Sequence, residues 1–213
     1  MKLLILVSAS LFLVETSFAQ CAGSSETHAS LQWSEPARIV APDRTWAIEV
    51  HPVLDADENQ TPVTLHQCSG SKSWPIFILQ RRADLYWSPD SKHVLVIDEP
   101  LSGTRKLRLF SVAGLTVGAQ DPPSDVLDKA VNEALAKHLG INRHIQFYLP
   151  SFVYWRGNTL SLAVGGQAYT ENVGPLGVYC YGMQIDSESL RVKDVLSAKE
   201  LKAKAGRSCE VSP

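Results

Sequence analysis

The stretch Leu85–Val112, LYWSPDSKHVLVIDEPLSGTRKLRLFSV, decides the fold of this chain. Leu85, Tyr86 and Trp87 are strong strand formers, and His93-Val94-Leu95-Val96-Ile97 is a second, β-branched run, so Ser88-Pro89-Asp90-Ser91 between them must reverse the chain. Proline presets its own φ for a turn, and aspartate accepts a hydrogen bond from backbone two residues on. Asp98-Glu99-Pro100 and Ser102-Gly103 are then expected to form a second reversal, with Lys106–Val112 as a third strand. The unit is an antiparallel meander. Its middle strand is apolar on both faces from Val94 to Ile97, which requires cover on both sides, from stacked blades or a sandwich.

Other segments echo this unit. Ala41-Pro42-Asp43-Arg44-Thr45-Trp46 precedes the strand-like Ala47-Ile48-Glu49-Val50, with Pro42 and Pro89 47 residues apart, and Tyr154-Trp155-Arg156-Gly157-Asn158 precedes Leu160–Val164. Trp87-Ser88-Pro89-Asp90-Ser91-Lys92 followed by an aliphatic strand resembles the W-S-P-D-G-K signature that opens blades in TolB-like, WD-type β-propeller repeats, with Ser91 where the family has glycine. The resemblance implies blade-like units over 37–82, 83–118 and 144–194, and a binding platform; it carries no catalytic residues onto this chain. The expected fold class is therefore mainly β: antiparallel blade-like meanders, a partial or atypical β-propeller, with an inserted amphipathic helix over 122–140 and a short C-terminal helix.

Residues 1–19 read as a secretory signal peptide, with Lys2, an apolar run from Leu3 to Val14 and Ser17-Phe18-Ala19 as a small-x-small cleavage site. The expected mature chain, 20–213, is a single domain without a transmembrane segment, in the periplasm or outside the cell. Its formal net charge of −2 gives no sign of a basic face, so nucleic acid is not an expected partner. Cys21, Cys68, Cys180 and Cys209 are expected to pair in an oxidising compartment; three connectivities are open, and the tail position of Cys209 favours Cys180–Cys209, leaving Cys21–Cys68.

Residues 22–36 are small and polar and read as a loose arm. Asp55-Ala56-Asp57-Glu58-Asn59 opens like a calcium loop, but Gln60 stands where glycine is needed and His66 where a bidentate glutamate is needed. Ser69-Gly70-Ser71-Lys72 fits S-x-x-K without the partner motifs of penicillin-binding enzymes, and reads as a turn. From Val126 to Leu135 the apolar spacing becomes helical, and Gly140 stops the helix. Gly165–Pro175 reads as a long loop between two strands, where Tyr169, Glu171 and Asn172 offer an aromatic anchor and polar contacts to a partner. Ser197-Ala198-Lys199-Glu200 is a capping box that opens a helix ending at Gly206.

Catalytic signatures are missing. None of the six histidines pairs with another at metal-binding spacing, and there is no nucleophile elbow, phosphate-cradling glycine loop or H-E-x-x-H. No metal or cofactor is expected, and enzymatic activity is disfavoured. The leading expectation is a module that binds another exported or envelope protein, as an inhibitor, immunity or scaffold protein, in an oligomeric state the sequence leaves open. A small secreted hydrolase or carbohydrate-active enzyme is the alternative from another class, and a structural envelope protein the third.

Overall fold

Twelve strands and three helices make up the described parts of the computed structural model, which are residues 21–23, 25–52, 60–101, 104–116, 126–140, 147–170, 174–207 and 209. The expected signal segment 1–19, the Asp55–Asn59 stretch, Pro122-Pro123, Glu171 and Asn172 lie outside them. The fold is mainly β, built from three four-stranded antiparallel meanders. The first sheet holds β2 (Ala37–Val40), β3 (Trp46–Val50), β4 (Thr61–Gln67) and β5 (Ser73–Leu79) in chain order. The middle sheet is ordered β1 (His28–Gln32), β6 (Arg82–Trp87), β7 (His93–Leu101), β8 (Thr104–Ser111). The third runs β9 (Phe147–Arg156), β10 (Thr159–Thr170), β11 (Gly174–Asp186), β12 (Val192–Ser197).

The two-sided hydrophobicity of β7 sets how these sheets stack. Val94 and Val96 enter one core with Ile48, Leu65, Phe77 and Leu79 of the first sheet, while Leu95 and Ile97 enter a second with Leu160, Leu162, Val164 and Met183 of the third. Alternating side chains on one strand thus supply both cores, and β7 is buried on both faces from Val94 to Ile97. Helix α2 (Val126–Leu139) completes the second core through Leu127, Val131 and Leu135, and its Asp128 carboxylate accepts the Leu107 amide of edge strand β8 at 2.8 Å. Helix α3 (Ala198–Ala205) packs Leu201 against Val153 and Ala163, away from the second core. Its capping box and the left-handed C-cap at Gly206 are both formed.

Two disulfides pin the ends of the described chain. Cys21–Cys68 has a Cα–Cα distance of 5.0 Å and Cys180–Cys209 one of 5.6 Å, within the range a bridge needs. They belong to an oxidising compartment. No helix among the described residues is long and apolar enough to cross a membrane.

Four local expectations are corrected. The 22–36 segment is not a loose arm: β1 pairs with β6 from His28↔Tyr86 to Gln32↔Arg82, because the open edge of β6 supplies hydrogen-bond partners that composition does not reveal. Asp98-Glu99-Pro100 does not reverse the chain; β7 continues to Leu101, and a register shift between Asp98 and Leu101 accommodates the proline. Val112 opens a short helix, α1 (Val112–Thr116), instead of ending a strand, and Val112 and Leu115 seal the first core. Gly165–Thr170 is strand, not loop, since β10 pairs with β11 without interruption from Thr159 to Ala168 and on to Thr170↔Gly174 past a bulge. The cross-strand partners of Gly165 and Gly166 are Cys180 and Tyr179, strand formers that carry two glycines local propensity would have placed in a turn.

Candidate functional site

The two ends of the stack differ in chemistry. One end carries a turn repeated 47 residues apart. Arg44 and Ser91 both adopt left-handed backbone, with φ of 61° and 60°. Arg44 N donates to Ala41 O and Ser91 N to Ser88 O, each at 2.9 Å, while Ala41 N donates to Trp46 O and Ser88 N to His93 O, also at 2.9 Å. Asp43 accepts the Thr45 amide at 2.9 Å, as Asp90 accepts that of Lys92 at 3.2 Å. Ser91 thus holds left-handed backbone at the turn, and its hydroxyl accepts the Asp43 amide at 2.9 Å, tying one copy of the turn to the other.

Beside this turn His93 lies against Trp155, with ring centroids 6.4 Å apart. Burial pushes the His93 pKa below its ordinary value, against the pull of Asp90 and Glu188. Asp90 is itself pushed up by burial, but the Ser88 hydroxyl at 2.6 Å and the Lys92 amide outweigh this and hold its pKa low.

The opposite end is a rim of loops and a projecting hairpin. β9 accompanies β10 only as far as Phe147↔Gln167, and β12 accompanies β11 only as far as Ser197↔Tyr181. Among the described residues, Gly174–Val178 has β10 as its strand neighbour on one side and no strand on the other. Among the described residues the pair thus extends beyond β9 and β12 as an arm about 14 Å long from Val178 to Gly174, at ~3.4 Å per residue. Val178 on this arm is 58% exposed, and the Cys180–Cys209 bridge sits at its root. Tyr169 lies in β10 opposite Pro175, at the bulge near the tip; Glu171 and Asn172 fall outside the described residues between the two strands.

A second group on the rim was not legible as a site. On the face of the middle sheet turned toward the third, the pairing sets three cross-strand rows: His28–Tyr86, Ser30–Asp84 and Gln32–Arg82–Glu99. His28 stacks on Tyr86 at 4.5 Å, and Tyr86 on Phe152 of β9 at 4.2 Å, a continuous three-ring column between the sheets. Ser30 donates to Asp84 at 2.6 Å. Glu99 meets Arg82 at 2.8 Å, Arg81 at 3.4 Å and Arg105 at 3.7 Å, and Arg105 also donates to Pro150 O at 3.3 Å. The period-two spacing of His28, Ser30 and Gln32 was the available signal, hidden by reading 22–36 as an arm.

Four catalytic or metal-binding arrangements can be compared with this geometry. A serine nucleophile needs a base between it and its acid, yet Ser30 donates directly to Asp84 while the His28 ring lies in the aromatic column. Ser69–Lys72 joins two strands as an exposed turn, without the helix that would aim a nucleophile. Cys68 of the His66-x-Cys68 pair is bonded to Cys21. Among the described residues no group of three or more His, Cys, Asp or Glu is placed to hold a metal.

No protein-family model, curated protein or solved structure matches this chain.

Proposed function

We propose that the chain is a protein-binding module of the periplasm or extracellular space, delivered by a cleaved signal peptide over residues 1–19, that engages another exported or envelope protein through the β10–β11 arm. The resemblance of the Trp87–Lys92 segment to propeller repeats supports a binding platform. The observation that carries the reading is the arm itself: a strand edge at Gly174–Val178 with Val178 exposed. Such an edge is an aggregation hazard, and Pro175 blunts this one only at its tip, leaving the Leu176–Val178 backbone for pairing. A partner strand added to that edge satisfies the backbone and covers Val178, while Tyr169 of β10 and Glu171 and Asn172, which follow it in the chain, set specificity.

The test is an affinity capture from periplasmic or secreted extract with the chain from Gln20 onward, beside Tyr169→Ala/Glu171→Ala and Val178→Lys variants. One stoichiometric partner held by the unmodified chain and lost from both variants is the expected result. Capture unchanged in both variants refutes the arm as the contact surface. Failure to capture any partner, together with turnover of a sugar or ester substrate, favours the hydrolase reading instead.

A further inference from the structure

We propose that the rim carries a carboxylate-binding site, built by Arg81, Arg82 and Arg105 around Glu99. Glu99 Oε1 takes Arg81, and Oε2 takes both Arg82 and Arg105. One carboxylate thus holds three guanidiniums, which leaves two positive charges in surplus within a chain whose formal net charge is −2. Arg81 and Arg82 remain about half exposed, at 48% and 47%, whereas Glu99 is 14% exposed, so solvent meets the cations first.

The contacts to Glu99 leave the arginines unsaturated. A guanidinium presents about five N–H donors in a planar fork that matches a carboxylate edge. Arg81 and Arg82 each reach Glu99 through a single nitrogen, and Arg105 through Nε, with its Nη1 on Pro150 O. Three like charges gathered on a single carboxylate repel one another, and a second carboxylate relieves that repulsion while filling the unused donors. Asp84 lies one row away on the same face, where it accepts from Ser30. Its charge opposes a phosphate group, which brings about −1.5 to −2 to one point, more than a single carboxylate group, which brings one charge even when several are joined in one ligand, and this favours the carboxylate group.

The site is distinct from the β10–β11 arm and does not depend on it. The ligand's carboxylate comes either from a small acid or from an acidic peptide, and titration calorimetry with citrate, hexaglutamate and inorganic phosphate separates these. The disulfide-bonded chain from Gln20 onward is expected to bind citrate or hexaglutamate, with affinity falling as salt is raised. Arg82→Gln should weaken that binding roughly tenfold or more, and Arg81→Gln, at an exposed turn, should act in the same direction without threatening the fold. Glu99→Gln should tighten it about threefold or more by removing the competing carboxylate, an opposite sign that a purely structural role for the cluster does not produce. Tyr169→Ala/Glu171→Ala should leave it unchanged, so failure here is separable from failure of the partner reading. Absence of binding by both carboxylate probes, indifference to the arginine substitutions, weakening by Glu99→Gln, or tighter binding of phosphate than of either carboxylate overturns the proposal.

Discussion

Replacing Ser91 tests whether the turn that opens the middle sheet is held by its backbone conformation or by its hydroxyl. Ser91 is 3% exposed, sits at φ 60°, and accepts the Asp43 amide at 2.9 Å. A hydrogen bond of this kind contributes about 1 kcal/mol net, and left-handed backbone costs a non-glycine residue roughly 1–2 kcal/mol. Ser91→Ala loses the bond and keeps the strain, so it should destabilise the fold by about 1 kcal/mol. Ser91→Gly also loses the bond but relieves the strain, against roughly 0.4–1 kcal/mol for the greater freedom of its unfolded chain. The terms nearly cancel. Ser91→Gly should therefore lie within about 0.5 kcal/mol of the unmodified protein and about 0.5–1 kcal/mol above Ser91→Ala. Urea unfolding with both disulfides intact measures the order, and hydrogen exchange at the Asp43 amide reports the lost bond in either variant. A Ser91→Gly protein less stable than Ser91→Ala, or a Ser91→Ala protein with unchanged stability and unchanged Asp43 exchange, would refute the reasoning.

Further expectations concern buried charge and the two chain ends. Asp98 is 2% exposed and burial raises its pKa despite Arg108 at 2.9 Å, while Asp98 Oδ1 and Arg108 Nε have no hydrogen-bond partner among the described residues. Arg108→Ala should cost about 3 kcal/mol by leaving the carboxylate buried without its cation, whereas Asp98→Leu/Arg108→Met should restore most of that loss in the same unfolding assay. Because the native state holds the Asp98 proton more tightly than the unfolded chain, stability should fall as pH rises from the ordinary value of 3.8 through the raised one, and Asp98→Asn should remove that slope. His93 has the opposite requirement: its native pKa lies below the ordinary 6.5, so stability should fall as pH drops below that value, and His93→Gln should flatten the decline in denaturation midpoints measured across that range. Cys180→Ser/Cys209→Ser opens a covalent loop of sequence separation 29, and unfolding should show a loss of about 3–4 kcal/mol if the chain-entropy account holds.

The arm and the rim differ in how far the sequence revealed them. Tyr169, Glu171 and Asn172 stood out because glycines and polar residues cluster around them, yet the same glycines disguised a strand. Local propensity at Gly165 and Gly166 is poor, and what fixes them as strand is the partner run Tyr179-Cys180 arriving from across the turn. The arginine cluster was hidden for a related reason. Arg81 and Arg82 are adjacent in the chain, but Glu99 and Arg105 reach them only once β6, β7 and β8 lie side by side, with Glu99 directly opposite Arg82.

Features whose causes are local or periodic were legible in the chain from the start. The Ser-Pro-Asp turn, the capping box at Ser197, the apolar stripe of α2 and the two-faced hydrophobicity of Val94–Ile97 each act within a few residues, so they were readable without coordinates. The last of these already required a sheet covered on both sides. Tertiary structure alone decided which sheets provide that cover, that β1 completes the middle sheet, and that three arginines meet on Glu99. Each depends on strand order and register, and a register shift of one residue turns every side chain to the opposite face. That choice is settled by packing between segments far apart in the chain, which no local pattern encodes.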